Sequence, residues 1–209
     1  MIIMEELIQQ LIKEGYLKTP EIIDAFFKIK RRDFLPAHLI GEESINAPLP
    51  IGHGQTISQP LTVAFMLELL EPQRGDKILD VGSGSGWQTA LLAELVQEKG
   101  KVYAIERIPA LKEFGEKNLN KYDYKNVEFF LGDGAKGLSQ YAPFDKIIVA
   151  AASNDIPQVL VNQLRVGGRL VIPIGEALQD LVLIKKINDQ EVEQTKYPGF
   201  AFVPLITDS

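Results

Sequence analysis

No cysteine occurs anywhere in this chain. Disulfides, thiolate metal sites and a cysteine nucleophile are excluded together, and the composition fits a reducing compartment. Histidine is almost as scarce, with only His38 and His53. Without an H-E-x-x-H run or any histidine cluster, no metal site is expected. No stretch approaches the roughly 18 apolar residues that span a bilayer. The apolar start Met1–Met4 meets Glu5 and Glu6 before a hydrophobic region develops, so no signal peptide is expected. These absences describe a soluble, cytoplasmic chain with no membrane partner.

Basic residues are the minority charge. There are 22 Lys and Arg against 28 Asp and Glu, a formal net charge of −6. Phosphate neutralisation supplies most non-specific affinity for nucleic acid, so this balance argues against such a partner. The one local basic run, Lys28, Lys30, Arg31 and Arg32, reads as the solvated end of a helix.

What is present fills a sizeable core: 209 residues at 45% hydrophobic content suit one domain with a modest extension. Residues 1–59 read as a helical extension with a signature loop and residues 60–209 as the core, together one compact unit. Leu7, Ile8, Leu11 and Ile12 recur at helical spacing before Gly15. Thr19-Pro20 then opens a helix carrying Ile22, Ile23, Phe26 and Phe27. From Pro36 to Gly54 the periodicity fails, leaving a long connection of the kind that carries function. A buried helix follows Pro60, with Val63, Leu67 and Leu70.

Beyond it the pattern alternates. Strands are predicted over 77–81, 102–105, 127–131, 146–150 and 169–174, and helices over 88–96, 110–119 and 156–164. Such alternation implies βαβ units and a mainly parallel sheet covered on both faces. Residues 181–187 and the segment from Val192 flank Asn188-Asp189 as a hairpin, and 200–206 is expected to return as another strand. The fold class is α/β, doubly wound, with an antiparallel C-terminal edge.

The most informative stretch is Lys77-Ile-Leu-Asp-Val-Gly-Ser-Gly-Ser-Gly-Trp87. Gly82, Gly84 and Gly86 follow a strand and precede a helix, where glycine permits a sharp turn and close approach of a ligand. The dinucleotide spacing G-x-G-x-x-G would need a glycine where Trp87 stands. A carboxylate at Asp80 is costly beside a pyrophosphate but compatible with an ammonium-bearing ligand. Glu106 ends the next strand 20 residues past Gly86, where it can accept from both ribose hydroxyls. Asp133, in Gly132-Asp-Gly134, follows the third strand and can accept from an adenine amino group. The D-x-G-x-G-x-G spacing from Asp80 resembles motif I of class I S-adenosylmethionine-dependent methyltransferases.

A second resemblance is narrower. Pro48-Leu-Pro-Ile-Gly-His-Gly-Gln-Thr-Ile-Ser-Gln-Pro60 is similar to the signature that precedes motif I in protein-L-isoaspartate O-methyltransferases. Gly132-Asp-Gly134, Phe144-Asp-Lys-Ile-Ile-Val149, Gly167-Gly-Arg-Leu-Val171 and Phe202-Val-Pro-Leu205 also match, covering nearly the whole chain from residue 46. The resemblance implies a seven-stranded Rossmann-like methyltransferase sheet with an inverted order of the last strands. It implies S-adenosyl-L-methionine as methyl donor, S-adenosyl-L-homocysteine as product, and isoaspartyl-containing proteins and peptides as acceptors. Cofactor contacts are implied for Gln55, Thr56, Ile57 and Ser58, for Asp80, Gly82, Ser83, Gly84 and Gly86, and for Glu106, Arg107, Asp133 and Gly134. Ser58 matches the family's active-site serine, while His53, Pro204 and Leu205 are implied substrate contacts. Trp87 and Ser153-Asn154 depart from the usual family residues and bear on fine substrate preference.

The chemistry asks little of side chains. An acceptor carboxylate with a pKa of about 4 is already ionised at neutral pH, so neither a general base nor a metal is needed. Positioning can then contribute about 7–11 kcal/mol if a near-attack geometry is enforced. Ser58 can hydrogen-bond the acceptor, and it also suits the cap position before Pro60. Three alternatives remain at this level: a class I methyltransferase acting on RNA or a small molecule, a non-catalytic S-adenosylmethionine-binding module, and an NAD-dependent dehydrogenase.

Overall fold

The computed structural model describes residues 3–207. Helix α1 (Met4–Lys13) turns Leu7, Ile8 and Leu11 into the core, the face their helical spacing dictates. Helix α2 (Pro20–Lys28) begins with Pro20 in its first turn and buries Ile22, Ala25 and Phe26. Its entry is tied to α3 (Pro60–Leu70): Glu68 accepts from the backbone N–H of Lys18 and Thr19 and from the Thr19 hydroxyl, at 2.8–2.9 Å.

Between α2 and α3 lie two 3₁₀ turns, Arg31–Phe34 and Ala37–Leu39, and a small hairpin of β1 (Leu49–Gly52) and β2 (Gln55–Ile57). The sequence reading expected only a connection here. The strands are four and three residues long, and although Leu49 and Ile51 of β1 alternate with exposed neighbours, so short a run carries no strand signal in the sequence.

Seven strands form the main sheet: β3 (Lys77–Val81), β4 (Lys101–Glu106), β5 (Val127–Leu131), β6 (Phe144–Val149), β7 (Leu164–Ile174), β8 (Gln179–Lys186) and β9 (Val192–Phe200). Their order is β5-β4-β3-β6-β7-β8-β9. The first five in that order run parallel, while β8 and β9 are antiparallel additions. The last three lie in chain order, so the terminal strand is the edge.

Successive residues of β3 point to opposite faces, and the core divides accordingly. Ile78 joins an apolar cluster shared with α1, α2, α3, α4 (Trp87–Val96), α5 (Pro109–Leu119) and the hairpin. Leu79 and Val81 join a second cluster with Leu160 and Val161 of α6 (Gln158–Asn162). No helix among the described residues is long and apolar enough to cross a membrane.

Three expectations need correction. Helix α6 has five residues rather than the nine predicted, because Pro157 precedes it and Leu164 already enters β7. Residues 201–207 form no strand: after Phe200 the chain leaves the sheet, held by Phe202 N–H to Gln179 Oε1 at 2.7 Å and by one Ala152–Pro204 bridge to the segment after β6. The basic run is not uniformly solvated either. Lys28 is exposed and Lys30 half-buried, pairing with Glu94 and Glu5, but Arg31 is completely buried. In a 3₁₀ turn side chains three apart share a face, and that geometry puts Arg31 beside buried Phe34.

Candidate active site

From β3 the chain passes outward to β4 and β5, then returns to β6 on the other side of β3. At such a reversal the loops leaving neighbouring strands diverge and open a crevice at their C-terminal ends. Gly82 borders it, with Ala150 of the β6 exit 3.9 Å from where a side chain would start. The two exits are joined to the sheet by Gly82 N–H to Ile105 O and Ala150 N–H to Val81 O, both 2.9 Å.

The loop after β3 supplies Gly82, Ser83 and Gly84 to the crevice wall. Gly86 stands behind it. A Cβ there would come within 2.9 Å of the Gly115 carbonyl on α5, at a φ of +83°, so this glycine lets the two helices approach. Ser83 Oγ is buried and has no hydrogen-bond partner. A buried hydroxyl left without a partner inside a crevice marks a position for a polar ligand atom.

Glu106 reaches the wall from the end of β4. Its carboxylate accepts from Gly84 N–H at 3.0 Å, Arg107 N–H at 2.8 Å and Ile108 N–H at 3.0 Å, so it fixes the glycine loop as well as facing the crevice. Asp80 is fully buried beneath the loop, off the wall. Its two oxygens accept from Gln88 Nε2 at 2.8 Å and Thr89 Oγ1 at 2.6 Å, the first turns of α4. Burial pushes its carboxyl up to about 6, against the two hydrogen bonds and with a further push from Glu106. Gln88 does line the crevice and connects it to Asp80. Asp133 also lies off the wall, its Oδ1 accepting from Ala135 N–H at 2.9 Å, while Gly134 is on it. A side chain at Gly134 would collide with Val81 Cγ1 at 2.4 Å, so only glycine fits there.

The hairpin loop completes the wall with Ile51, Gln55, Thr56, Ile57 and Ser58, and the C-terminal segment adds Pro204 and Leu205. That segment is strapped across the β6 exit by Ala152 N–H to Val203 O at 2.8 Å and Leu205 N–H to Ala152 O at 2.7 Å. A second cavity abuts the first, between Gln59, Leu61 and Thr62 on one side and residues 199–203 on the other. Thr56, Ser58, Ala150 and Val203 border both. His53 sits exposed at the hairpin tip with φ +54°, away from either cavity.

Ser58 is not the helix cap. Gln59 occupies that position, and the early N–H of Leu61 is satisfied by Asn46 Oδ1 at 3.1 Å. The Ser58 hydroxyl has no protein partner among the described residues. Sequence reasoning missed Gln88, Thr89, Asn46 and Arg31. The first two sit in the first turn of the motif helix, directly after the glycines, and position alone would have raised them. Nothing local distinguishes the others.

The arrangement fits an adenosyl ligand with an amino-acid end: a buried free hydroxyl, a carboxylate at a strand end, and loop backbone at a helix start. No group of three side chains able to hold a metal ion occurs among the described residues.

Comparison with known proteins bears on the same site. Residues 3–209 match the family model described as protein-L-isoaspartate(D-aspartate) O-methyltransferase (PCMT). The chain is similar to the protein-L-isoaspartate O-methyltransferase of Aeropyrum pernix, 49% identical over 202 residues, which covers 96% of this chain and 78% of that one. It is also similar to that of Methanopyrus kandleri, 44% identical over 204 residues, covering 97% and 90%. Among solved structures, a Plasmodium falciparum isoaspartate methyltransferase in complex with S-adenosyl-L-homocysteine shares the fold over 100% of both chains, with a TM-score of 0.89 at 24% identity. A further protein-L-isoaspartate O-methyltransferase structure has a TM-score of 0.87 at 28% identity, covering 97% of this chain and 65% of that one.

Proposed function

The chain belongs to the protein-L-isoaspartate(D-aspartate) O-methyltransferase family, and from that premise we propose how its residues divide the reaction. The reaction is transfer of the methyl group of S-adenosyl-L-methionine to the α-carboxylate of L-isoaspartyl residues in proteins and peptides. The bound donor supplies an electrophilic methyl carbon on a sulfonium; the remaining work is binding, alignment and exclusion of water.

Residues 60–200 form the donor side of this division. Glu106 takes the ribose hydroxyls, Ser83 and the backbone of Gly82 and Gly84 take the amino-acid end, and Gly134 leaves room for the base. Asp80 acts beneath the loop, holding Gln88 in place. Arg107 and Asp133 flank the donor. Residues 1–59 form the acceptor side with the C-terminal strap: Gln55, Thr56 and Ile57 cover the donor, and Pro204 and Leu205 line the way in. His53 meets the acceptor protein outside the pocket.

Ser58 is the residue at which the acceptor is brought up to the donor. The observation carrying this is its place in the wall common to the two cavities, with its hydroxyl unpartnered. It hydrogen-bonds the acceptor carboxylate and turns one oxygen toward the methyl carbon. No proton has to move, since the acceptor is already ionised at neutral pH. The absence of cysteine and the acidic balance support work in the cytoplasm on protein rather than nucleic acid.

The test uses labelled S-adenosyl-L-methionine and two peptides that differ only in isoaspartate against aspartate. Base-labile label on the isoaspartyl peptide alone is expected. Equal labelling of both, or label stable to base, would overturn the acceptor assignment.

A further inference from the structure

Arg31 is among the largest fully buried side chains of the molecule, and its hydrogen bonds among the described residues all go to backbone carbonyls, with the Glu43 carboxylate near enough to favour its charge. Taking a charge out of water costs several kcal/mol unless polar groups replace the lost hydration. Here they are four backbone carbonyls. Nη1 donates to Glu43 O at 3.1 Å and Ile45 O at 2.8 Å; Nη2 donates to Ala47 O at 2.8 Å and Ser58 O at 3.1 Å. Burial lowers the guanidinium only to about 10, so it stays charged at neutral pH.

The choice of carbonyls is informative. Three come from the chain entering the hairpin and one from the chain leaving it, so one planar fork closes the base of the whole segment from 47 to 58. That segment carries Ile51 and Gln55 through Ser58, the hairpin's share of the pocket wall. A lysine, with a compact point charge, cannot reproduce this fork. The guanidinium carbon also lies 5.5 Å from the ring centre of Trp87. Trp87 is the first residue of α4, next to Gly86, and itself lines the pocket. One side chain therefore touches both the acceptor loop and the helix that follows the glycine loop.

We propose that Arg31 is a positioning residue for methyl transfer, clamping the backbone of Ser58 relative to the donor pocket through the fork on one side and Trp87 on the other. The proposal rests on the reading that Ser58 meets the acceptor carboxylate.

Arg31→Lys and Arg31→Ala test it, with urea melts to establish folding and calorimetry with S-adenosyl-L-homocysteine to follow the donor side. In folded Arg31→Lys the turnover of an isoaspartyl peptide should fall roughly 10- to 100-fold, the cost of misplacing a reacting group by about an ångström. Affinity for S-adenosyl-L-homocysteine should change by no more than about threefold, since the glycine loop and Glu106 that hold it are fixed by the sheet and not by the fork. In Arg31→Ala, guanidinium chloride far below denaturing concentration should restore part of the turnover, and the same concentration of ammonium chloride should not. Unchanged turnover in folded Arg31→Lys, equal loss of turnover and donor affinity, or failure of both variants to fold would each overturn the clamp and leave Arg31 a purely structural group. Wild-type enzyme assayed alongside keeps the premises apart: no transfer to the isoaspartyl peptide there would sink the acceptor reading itself.

Discussion

The loop at 82–86 and the loop at 43–58 line one pocket, yet they are held in different ways. The first is fixed by its own sheet: Gly82 bonds to Ile105, Gly84 to Glu106, and Gly86 fits against Gly115 on the next helix. The second is fixed from outside, by a guanidinium 12 to 27 residues away in sequence and by Asn46 reaching forward to Leu61. A donor loop common to a large fold class can be built from contacts with the neighbouring strand and helix, which repeat with the fold. An acceptor loop special to one reaction is laid over the fold and is anchored here by a side chain from outside the sheet.

The largest expected effect separates the two loops by their glycines. Gly86 and Gly54 both have positive φ, +83° and +70°, but a Cβ at Gly86 meets backbone at 2.9 Å while one at Gly54 meets nothing within 4 Å. Gly86→Ala should cost about 3 kcal/mol or more, strain plus overpacking, and Gly54→Ala about 1 kcal/mol from strain alone. Urea unfolding measures both. Equal losses would mean that the hairpin tip is packed as closely as the glycine loop, and the contrast would collapse.

Next in size is a pH effect confined to the donor side. Burial raises Asp80 from 3.8 to about 6, so its charged form is disfavoured in the folded protein. The associated stability is fully present below the unfolded pKa and is lost as pH rises through about 6, on the order of 3 kcal/mol in all. Asp80→Asn is neutral throughout. Wild type should therefore lose stability relative to this variant between roughly pH 4 and pH 7, then run parallel to it. A difference independent of pH would show that the carboxyl under the glycine loop is not raised.

Both loops were named from the sequence, but only one could be understood from it. The parallel βαβ build of the sheet follows from alternation, and the glycine and carboxylate spacing locates the donor side, because those contacts lie within one or two elements of each other. Asp80 and Gly86 were legible as important while their roles were not: burial beneath the loop and contact with α5 depend on packing that no local pattern encodes. Arg31 was misread altogether, since a basic residue among Lys28, Lys30 and Arg32 carries no mark of burial. The C-terminal strap read as a strand because a short continuous apolar run, Phe200 to Ile206, looks the same whether it enters a sheet or closes a pocket.

Glu106 ties the two descriptions of the donor side together. It lines the pocket and also accepts three backbone N–H groups of the loops beside it. Glu106→Ala should weaken S-adenosyl-L-homocysteine by about 1.5–3 kcal/mol, as expected for charge-assisted hydrogen bonds, with little change in KM for peptide. Calorimetry showing wild-type affinity in folded Glu106→Ala would remove the carboxylate from the donor site and leave it a loop staple.

Ser58→Ala should give the opposite pattern on the acceptor side. Its hydroxyl caps no helix and bonds no protein group among the described residues, so stability should stay within about 0.5 kcal/mol of wild type. Turnover should fall roughly tenfold, the worth of one hydrogen bond to a charged acceptor, with donor affinity unchanged. A cap would behave in reverse, losing about 1 kcal/mol of stability with turnover intact. Since the two roles move different observables, steady-state kinetics beside a urea melt decides between them. If donor affinity fell as well, Ser58 would belong with the glycine loop, and the division of the pocket between a sheet-held donor wall and a clamped acceptor wall would have to be redrawn.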